Sequence, residues 1–278
     1  MIQVENISFS YGRKDREIFK DFSLTLGAGR IYGLLGKNGT GKSTLLYLLS
    51  GLLRAQKGNI LCNNMDVTKR QPAFLENLFI VPEEFDLPAI SMKKYVRVNA
   101  PFYPNFSQKV LDECLTDFEL PLDLNLGNLS MGQKKKAFMS FALATGTAFL
   151  LMDEPTNGLD IPSKSLFRKV VSRHMSDERT LIISTHQVRD VETLIDHVVM
   201  LEGTNLLLDR SIADICDAIR FEERSIGEPL DDALYVQPSM RGNFVIVVNN
   251  HAADETQVNL EMLFNCAEAG KLPKELTI

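Results

Sequence analysis

The sequence is poor in the residues that stabilise small secreted or metal-bound proteins. It has no tryptophan and only four cysteines in 278 residues. The cysteines include no CxxC pair, so neither a disulfide framework nor a structural zinc site is indicated. They are Cys62, Cys114, Cys216 and Cys266. This pattern is typical of a protein of the reducing cytoplasm.

No stretch of the chain is apolar for long enough to cross a membrane. The longest strongly apolar stretch, residues 141–152, is interrupted by two threonines and a glycine. It is also shorter than the roughly 20 residues that span a bilayer. The first residues, MIQVENISFS, have neither the basic start nor the apolar core of a signal peptide. We therefore expect neither a transmembrane segment nor secretion of this chain.

The chain also lacks an excess of positive charge and any internal repeat. Its formal net charge is −6, whereas nucleic-acid-binding proteins normally present a basic face, so no nucleic-acid partner is expected. The absence of a repeat excludes two tandem copies of one unit within the chain. A hydrophobic content of 45% over this length predicts one large domain with an appendage.

What the sequence does contain is a glycine-rich segment, GKNGTGKST, that starts at Gly36. An apolar strand-like run, Ile31–Leu35, precedes it, and leucines at helical spacing follow it. Between a strand and a helix, such glycines let backbone N–H groups and the helix N-terminus surround a phosphate chain. Lys42 would reach the outer phosphates and Ser43 would coordinate magnesium. A turn with an exposed lysine is the disfavoured alternative. The predicted nucleotide site contains Gly36, Asn38, Gly39, Thr40, Gly41, Lys42, Ser43 and Thr44.

Two carboxylates, Asp153 and Glu154, follow a continuous apolar run, Ala148–Met152. Carboxylates at the end of a buried strand are costly unless a cation or hydrogen bonds compensate them, so their position indicates function more than an acidic surface turn. Alternation along a strand would turn Asp153 and Glu154 to opposite sides. We expect Asp153 to face a magnesium ion beside Ser43 and Glu154 to face a water molecule.

Two further segments carry polar residues at element ends. The predicted strand Thr180–Ser184 brings His186 to the carboxyl edge of a parallel sheet, where ligands bind, so function is favoured over a surface histidine.

Earlier in the chain, Ser130 is predicted to cap the helix that follows it. The three lysines from Lys134 to Lys136 oppose the dipole of that helix, and a solvated face is favoured over phosphate contact.

The remaining pattern predicts elements on both sides of this core. Antiparallel strands with a charged turn at residues 13–16 come first, and a helical block with a break at residues 101–104 lies in the middle. After the predicted strand Thr180–Ser184 we expect a helix at 188–195 and short strands at 197–201 and 205–208. Residues 211–278 predict a small α+β appendage, regulatory or dimer-supporting, with helices near 212–219 and 260–264 and a strand at 244–248.

Four motifs in this order resemble those of the ATP-binding cassette (ABC) ATPases: GKNGTGKST at 36, LSMGQ at 129, FLLMDEPTNGLD at 149 and STH at 184. The resemblance covers residues 1 to about 210. It implies an α/β P-loop fold: a RecA-like core with a parallel sheet, an N-terminal antiparallel β subdomain and an inserted helical subdomain at about 84–145. Residues 211–278 would form the small C-terminal accessory domain. ATP and Mg²⁺ are the implied ligands.

The resemblance also implies roles for individual side chains. Tyr11 would stack on adenine, although packing under the adjacent turn explains its local sequence at least as well. Asp153 would belong to the magnesium site, Glu154 would be the general base, and His186 would contact the γ-phosphate. The residues that would bind the nucleotide of the opposite subunit, or link the two sites, are Ser130, Gly132, Gln133 and Asp160.

Two positions depart from the family pattern. Glu83 occupies the place of a glutamine, and its carboxylate would join the magnesium site while adding negative charge near the γ-phosphate. Met131 replaces the first of two glycines in the LSMGQ motif, where its side chain would crowd the loop.

The function implied by the resemblance is that of a cytoplasmic ATPase subunit, peripheral on the inner face of the cell membrane. It would pair with a copy of itself or with another ATPase chain and drive a separate multi-span permease, with export the expected direction. The alternative is a soluble ABC ATPase acting on ribosomes or DNA, which usually has two cassettes, coiled coils or basic segments. An inactive binding module is disfavoured because Lys42, Ser43, Asp153, Glu154 and His186 are all present.

Overall fold

The computed structural model describes residues 1–12, 16–250 and 256–277, so most of the predicted charged turn at 13–16 lies outside the described residues. The strands are β1 Ile2–Phe9, β2 Phe19–Leu26, β3 Ile31–Leu35, β4 Lys57–Cys62, β5 Met65–Asp66, β6 Leu78–Val81, β7 Phe149–Asp153, β8 Thr180–Thr185, β9 His197–Glu202, β10 Asn205–Ser211, β11 Ile219–Ser225, β12 Ala233–Ser239 and β13 Gly242–Val248. The α-helices are α1 Lys42–Leu49, α2 Pro72–Leu75, α3 Met92–Asn99, α4 Gln108–Asp117, α5 Met131–Ala144, α6 Ile161–His174, α7 Ile212–Ala218 and α8 Leu260–Glu268.

The central sheet has the strand order β10-β9-β3-β8-β7-β6. The strands from β9 to β6 run parallel, and β10 pairs antiparallel with β9. Every residue of β3, β7 and β8 is buried, because helices and a second sheet cover both faces. This double burial explains why these strands read as continuous apolar runs in the sequence. The carboxyl ends of β3, β7 and β8 therefore meet at one edge of the sheet.

An antiparallel sheet of order β2-β1-β4-β5 lies beside the central sheet. Its inward side chains, such as Ile2 and Phe19, belong to one buried cluster with Leu46 of α1 and with Leu34 and Leu151 of the central sheet. The alternation of apolar residues in β1 and β2 thus reflects burial on one face, as predicted. The shared cluster fixes the position of α1, and hence of the glycine-rich loop, between the two sheets.

The helical block contains α3, α4 and α5 and packs on the end of β6 through aromatic rings. Phe141 of α5 contacts Phe79 of β6 and three rings of the block, with centroids 5.0 to 6.2 Å apart. The predicted break is a short 3₁₀ turn at Ala100–Phe102 between α3 and α4. The prediction of a helical segment interrupted at this place is therefore confirmed.

One helix prediction was wrong. Instead of a helix over 188–195, the chain forms a 3₁₀ turn at Val188–Asp190 and then irregular turns. Val191 and Ile195 are buried in the core, while Asp190 forms an ion pair of 2.7 Å with Lys164 of α6. Tertiary packing on two sides thus overrides the helical spacing of the apolar residues.

The C-terminal segment contains a three-stranded antiparallel sheet of order β11-β13-β12 together with α7 and α8. The helices predicted near 212–219 and 260–264 correspond to α7 and α8, but of the three strands the sequence predicted only β13. The flanking strands escaped prediction because they are only partly buried. In β11 the charged side chains pair with one another, for example Arg224 with Glu222 at 3.0 Å.

The C-terminal segment shares its core with the rest of the chain. Leu263 of α8 and Ile246 of β13 lie in the same buried cluster as Val198 of the central sheet and Phe141 of the helical block. The domain boundary at residue 210 thus stays a prediction, with continuous apolar packing across it. Among the helices of the described residues, none combines the length and the apolar character needed to cross a bilayer.

Candidate functional site

The glycine-rich loop, residues 36–44, connects β3 to α1 at the carboxyl edge of the central sheet. Gly39 and Gly41 have φ angles of 81° and 97°, in the left-handed region that side chains disfavour. A Cβ atom on Gly41 would lie only 2.6 Å from Ile18 Cγ2. The loop therefore needs glycine here, and it forms an open cradle of backbone N–H groups at a helix N-terminus, which fits a polyphosphate chain.

Lys42 lies buried at the start of α1 with its side chain folded back over the loop. Its Nζ donates hydrogen bonds to the carbonyl oxygens of Gly36 (2.8 Å) and Lys37 (3.1 Å). Burial lowers the pKa of Lys42, and the nearby carboxylates of Glu154, Asp153 and Glu83 oppose this shift. The ammonium is thus held between the loop and three carboxylates, where it can offset the charge of an anionic ligand.

Asp153 ends β7 and is almost fully buried. Its carboxylate accepts a short hydrogen bond from Ser184 Oγ on β8. Ser43 lies in the first turn of α1, which packs against both β7 and β8. A hydroxyl and a carboxylate are the oxygen ligands that Mg²⁺ prefers, and Mg²⁺ usually takes few protein ligands and completes its shell with phosphate and water. Within the described ranges, no three His, Cys, Asp or Glu side chains are grouped to hold a metal by themselves.

Glu154 is held by the segment that follows β8. Its Oε2 accepts a hydrogen bond from Thr185 Oγ1 (3.0 Å), and its Oε1 accepts one from the backbone N–H of His186 (3.0 Å). His186 Nδ1 lies 2.7 Å from the same Oε1. The Glu154 side chain is only 6% exposed, whereas His186 is 36% exposed. The carboxylate is therefore fixed at the sheet edge, with the histidine on its solvent side.

Strand alternation does not separate the two carboxylates, because β7 ends at Asp153. Glu154 has a φ of 44°, a left-handed conformation that is unusual for a residue with a side chain. Its N–H donates to Ser184 O at 3.0 Å. The backbone turn, and not the pleat of the strand, thus directs Glu154 to Thr185 and His186 while Asp153 contacts Ser184. Conformational strain of this kind persists where the surrounding structure holds it.

Glu83 lies just beyond β6 and is exposed. Its Oε1 accepts a hydrogen bond of 2.8 Å from Asn157 Nδ2. Asn157 belongs to the loop that follows Glu154, so Glu83 connects the end of β6 to the end of β7. The sequence analysis did not single out Asn157, although it lies within the DEPTNGLD motif.

Lys135 contradicts the expected solvated face of three lysines. Lys134 and Lys136 are half-buried, but Lys135 is buried, and its Nζ donates to the carbonyl oxygens of Glu154 (2.8 Å) and Asn157 (2.9 Å). Burial lowers its pKa, opposed by Glu83, Glu154 and Asp153. The sequence held a signal for this burial, because Lys135 lies four residues before Met139 and therefore on the same, buried face of α5.

The LSMGQ segment begins α5. Ser130 Oγ accepts from the Gln133 N–H (3.3 Å), and Gln133 Oε1 accepts from the Ser130 N–H (3.0 Å), which makes a reciprocal capping box. Gly132 is half-buried, and Met131 is 65% exposed. In the described part of the chain this segment makes no hydrogen bond to the glycine-rich loop. Ser130 and Gln133 are both exposed to solvent.

Asp160 and Tyr11 lie at the margins of the site. Asp160 caps α6, with its Oδ1 accepting from the Ser163 N–H at 2.9 Å. Tyr11 is 60% exposed and contacts Phe9 edge to face, and its hydroxyl lies 3.1 Å from Thr44 Oγ1 at the start of α1. The tyrosine ring is therefore next to the glycine-rich loop and largely exposed to solvent.

Known proteins resemble this chain along most of its length. The family profile described as ABC transporter matches residues 19–157, half of the chain. The ABC transporter ATP-binding protein YtrB of Bacillus subtilis (strain 168) is 28% identical, covering 76% of this chain and 70% of YtrB. The lantibiotic transport ATP-binding protein SrtF of Streptococcus pyogenes is 28% identical, covering 76% of this chain and 90% of SrtF. The ribose import ATP-binding protein RbsA of Streptococcus agalactiae is 28% identical, covering 91% of this chain but 53% of RbsA.

The fold agrees with these matches. The solved ATP-binding subunit of an ABC transporter superposes with a TM-score of 0.68 at 22% identity, covering 77% of this chain and 91% of that one. The predicted P-loop fold with its parallel core, antiparallel sheet and helical insert is therefore confirmed. The chain belongs to the ABC transporter family as an ATP-binding subunit that hydrolyses ATP.

Proposed function

We propose that this chain pairs with a second ATPase subunit, binds ATP between the two, and drives a separate multi-span permease of the exporter type. It works in the cytoplasm, on the inner face of the cell membrane. The exposed position of the LSMGQ segment at the start of α5 carries the proposal. Ser130 and Gly132 lie at an exposed helix N-terminus, which is a suitable anion-binding end for a nucleotide held by another subunit.

Within one subunit, we propose the following roles for the side chains at the sheet edge. The glycine-rich loop and Lys42 bind the phosphates, and Ser43, Asp153 and Glu83 hold Mg²⁺, which offsets phosphate charge when bound. Glu154 orients the attacking water and accepts its proton, since Thr185 and His186 hold its carboxylate at the sheet edge. His186 contacts the γ-phosphate from the solvent side of Glu154.

A partner would dock where the helical block meets the core. A cavity of about 670 Å³ lies there between α2, β6 and the 3₁₀ turn of the block; its walls include Leu52, Arg70, Phe79, Phe102 and Tyr103. Phe102 is 68% exposed, so its ring adds apolar surface to the wall of this cavity. A short helix of a permease would bury this ring and fill the groove.

Export is the favoured direction because the aromatic break at residues 99–104 resembles that of small exporter ATPases. Import is the second candidate, since the ribose import protein RbsA aligns over most of this chain. Both directions require the same permease-bound ATPase, so the first test concerns the partner.

The partner test is co-purification of the tagged chain from membranes. A multi-span membrane protein is expected to come with the wild type and to be lost with Phe102→Asp, which charges the groove while leaving the ATP site intact. Lys109→Met, an exposed change elsewhere on the helical block, is the matched control. Recovery of the chain on ribosomes or DNA, without a membrane protein, would overturn the proposal.

Glu83→Gln tests the family departure near the proposed metal. Removing the charge is expected to strengthen binding of metal-free ATP by about threefold to tenfold, the scale of one exposed charge pair. The further gain in affinity on adding Mg²⁺ should become smaller, because one carboxylate ligand is lost. ATP titrations with EDTA and with Mg²⁺ measure both quantities.

Glu84→Gln is the control, since it removes the same charge one residue further along an exposed segment. If the two variants behave alike in both titrations, Glu83 has no special place at the metal.

A further inference from the structure

Lys135 is a buried cation that no step proposed above uses. It is 5% exposed, whereas its neighbours Lys134 and Lys136 are half-buried. Burying an ammonium group is costly unless hydrogen bonds compensate it. Here two carbonyl oxygens, those of Glu154 and Asn157, accept from Nζ at 2.8 and 2.9 Å. The side chain is therefore held in one place by the loop that follows β7.

Lys135 in turn fixes the loop at residues 154–157, which follows β7. Glu154 has a left-handed backbone with φ of 44°, and its carbonyl oxygen accepts a second hydrogen bond from the Asn157 N–H at 3.1 Å. A strained residue keeps its conformation only when neighbouring groups fix it. Lys135 and Asn157 together fix the peptide unit that sets the direction of the Glu154 carboxylate.

Lys135 also connects the start of α5 to the residue that follows β7. It lies one turn into α5, whose N-terminus holds Ser130 and Gly132. Its ammonium reaches the backbone of Glu154 at the sheet edge. A shift of α5 at Lys135 would therefore act directly on the backbone of Glu154, whose carboxylate contacts His186.

We propose that Lys135 is a positioning residue for ATP hydrolysis, which ties the backbone of Glu154 to α5 and keeps its carboxylate aimed at the attacking water. The proposal rests on the proposed role of Glu154 as the base. Lys135 does not touch the reacting atoms; it acts through Glu154. Nucleotide contact at the N-terminus of α5 is expected to tighten this arrangement, so that hydrolysis follows pairing of subunits.

Lys135→Met keeps the apolar stem and removes the ammonium. We expect kcat to fall about 10- to 10²-fold, since a misplacement of about 1 Å can cost up to about 10²-fold in rate, with KM for ATP changed less than twofold. Lys134→Met, one residue away, is expected to keep the wild-type kcat. Phosphate release at several ATP concentrations measures both parameters.

The double variant Lys135→Met/Glu154→Gln separates positioning from general destabilisation. If Lys135 acts through Glu154, the double variant is no slower than Glu154→Gln alone, because effects of residues that work as one unit do not add. A further tenfold loss in the double variant, or an unchanged kcat in Lys135→Met, would overturn the proposal. Should Lys135→Met fail to fold, Lys135→Gln, which keeps an N–H donor, serves in the same cycle. Wild-type turnover by Glu154→Gln would instead refute the assignment of the base.

Discussion

Replacing Glu154 by glutamine is expected to slow ATP hydrolysis by about 10²- to 10⁴-fold, the usual contribution of a general base. The amide has nearly the shape of the carboxylate, and its single oxygen can still accept the hydrogen bond from the His186 N–H, while its NH2 group can donate to Thr185 Oγ1. It cannot take a proton from water. ATP binding should therefore be kept, and the variant should accumulate as an ATP-bound dimer.

Phosphate release under saturating ATP measures the rate, and light scattering with and without ATP measures the dimer. Glu178→Gln is a suitable control, because this exposed glutamate precedes β8 at the opposite edge of the sheet. Wild-type turnover by Glu154→Gln would show that another group accepts the proton. A slow variant that stays monomeric with ATP would instead contradict the shared site.

Lys42→Met is expected to weaken ATP binding by roughly 10²-fold, because charge-assisted hydrogen bonds are worth about 1.5–3 kcal/mol each and more than one is lost. The ammonium is bonded to the carbonyl oxygens of Gly36 and Lys37. It can exchange these partners for phosphate oxygens with little movement. Hydrolysis at low ATP should fall in proportion.

Calorimetric titration with ATP and Mg²⁺ measures the affinity of this variant directly. Lys109→Met removes one positive charge from an exposed position of α4 and should bind ATP as the wild type does. An affinity within twofold of wild type in Lys42→Met would show that the backbone cradle alone holds the phosphates.

The sequence predicted the core of the fold because its strands are buried on both faces. Runs such as Ile31–Leu35 and Phe149–Met152 can satisfy their apolar side chains only in a covered parallel sheet. Where burial is partial, as in β11 and β12, the pattern carries no such signal. The turn at Val188–Asp190 was mistaken for part of a helix because apolar spacing alone cannot reveal that Asp190 pairs with a distant lysine.

The candidate site was predicted unevenly for a similar reason. Motif residues at strand ends, such as Asp153 and His186, are placed at one edge of the sheet by topology alone. The roles of these residues stay predictions until the variants above are measured. The contacts of Lys135 and Asn157 could not be foreseen, because they join backbone atoms of a loop whose left-handed turn at Glu154 leaves no mark in the residue types.

Glu268, at the end of α8, forms an ion pair of 2.7 Å with Lys37 inside the phosphate loop. Glu261 of the same helix pairs with Arg189, three residues after His186. A chimaera that joined residues 1–210 to the C-terminal segment of another transporter subunit would place foreign side chains against Lys37 of the glycine-rich loop and against Arg189. It would also divide the core cluster that contains Leu208 and Leu263. Exchange of the C-terminal segment alone would therefore lose both ion pairs and disrupt the shared core.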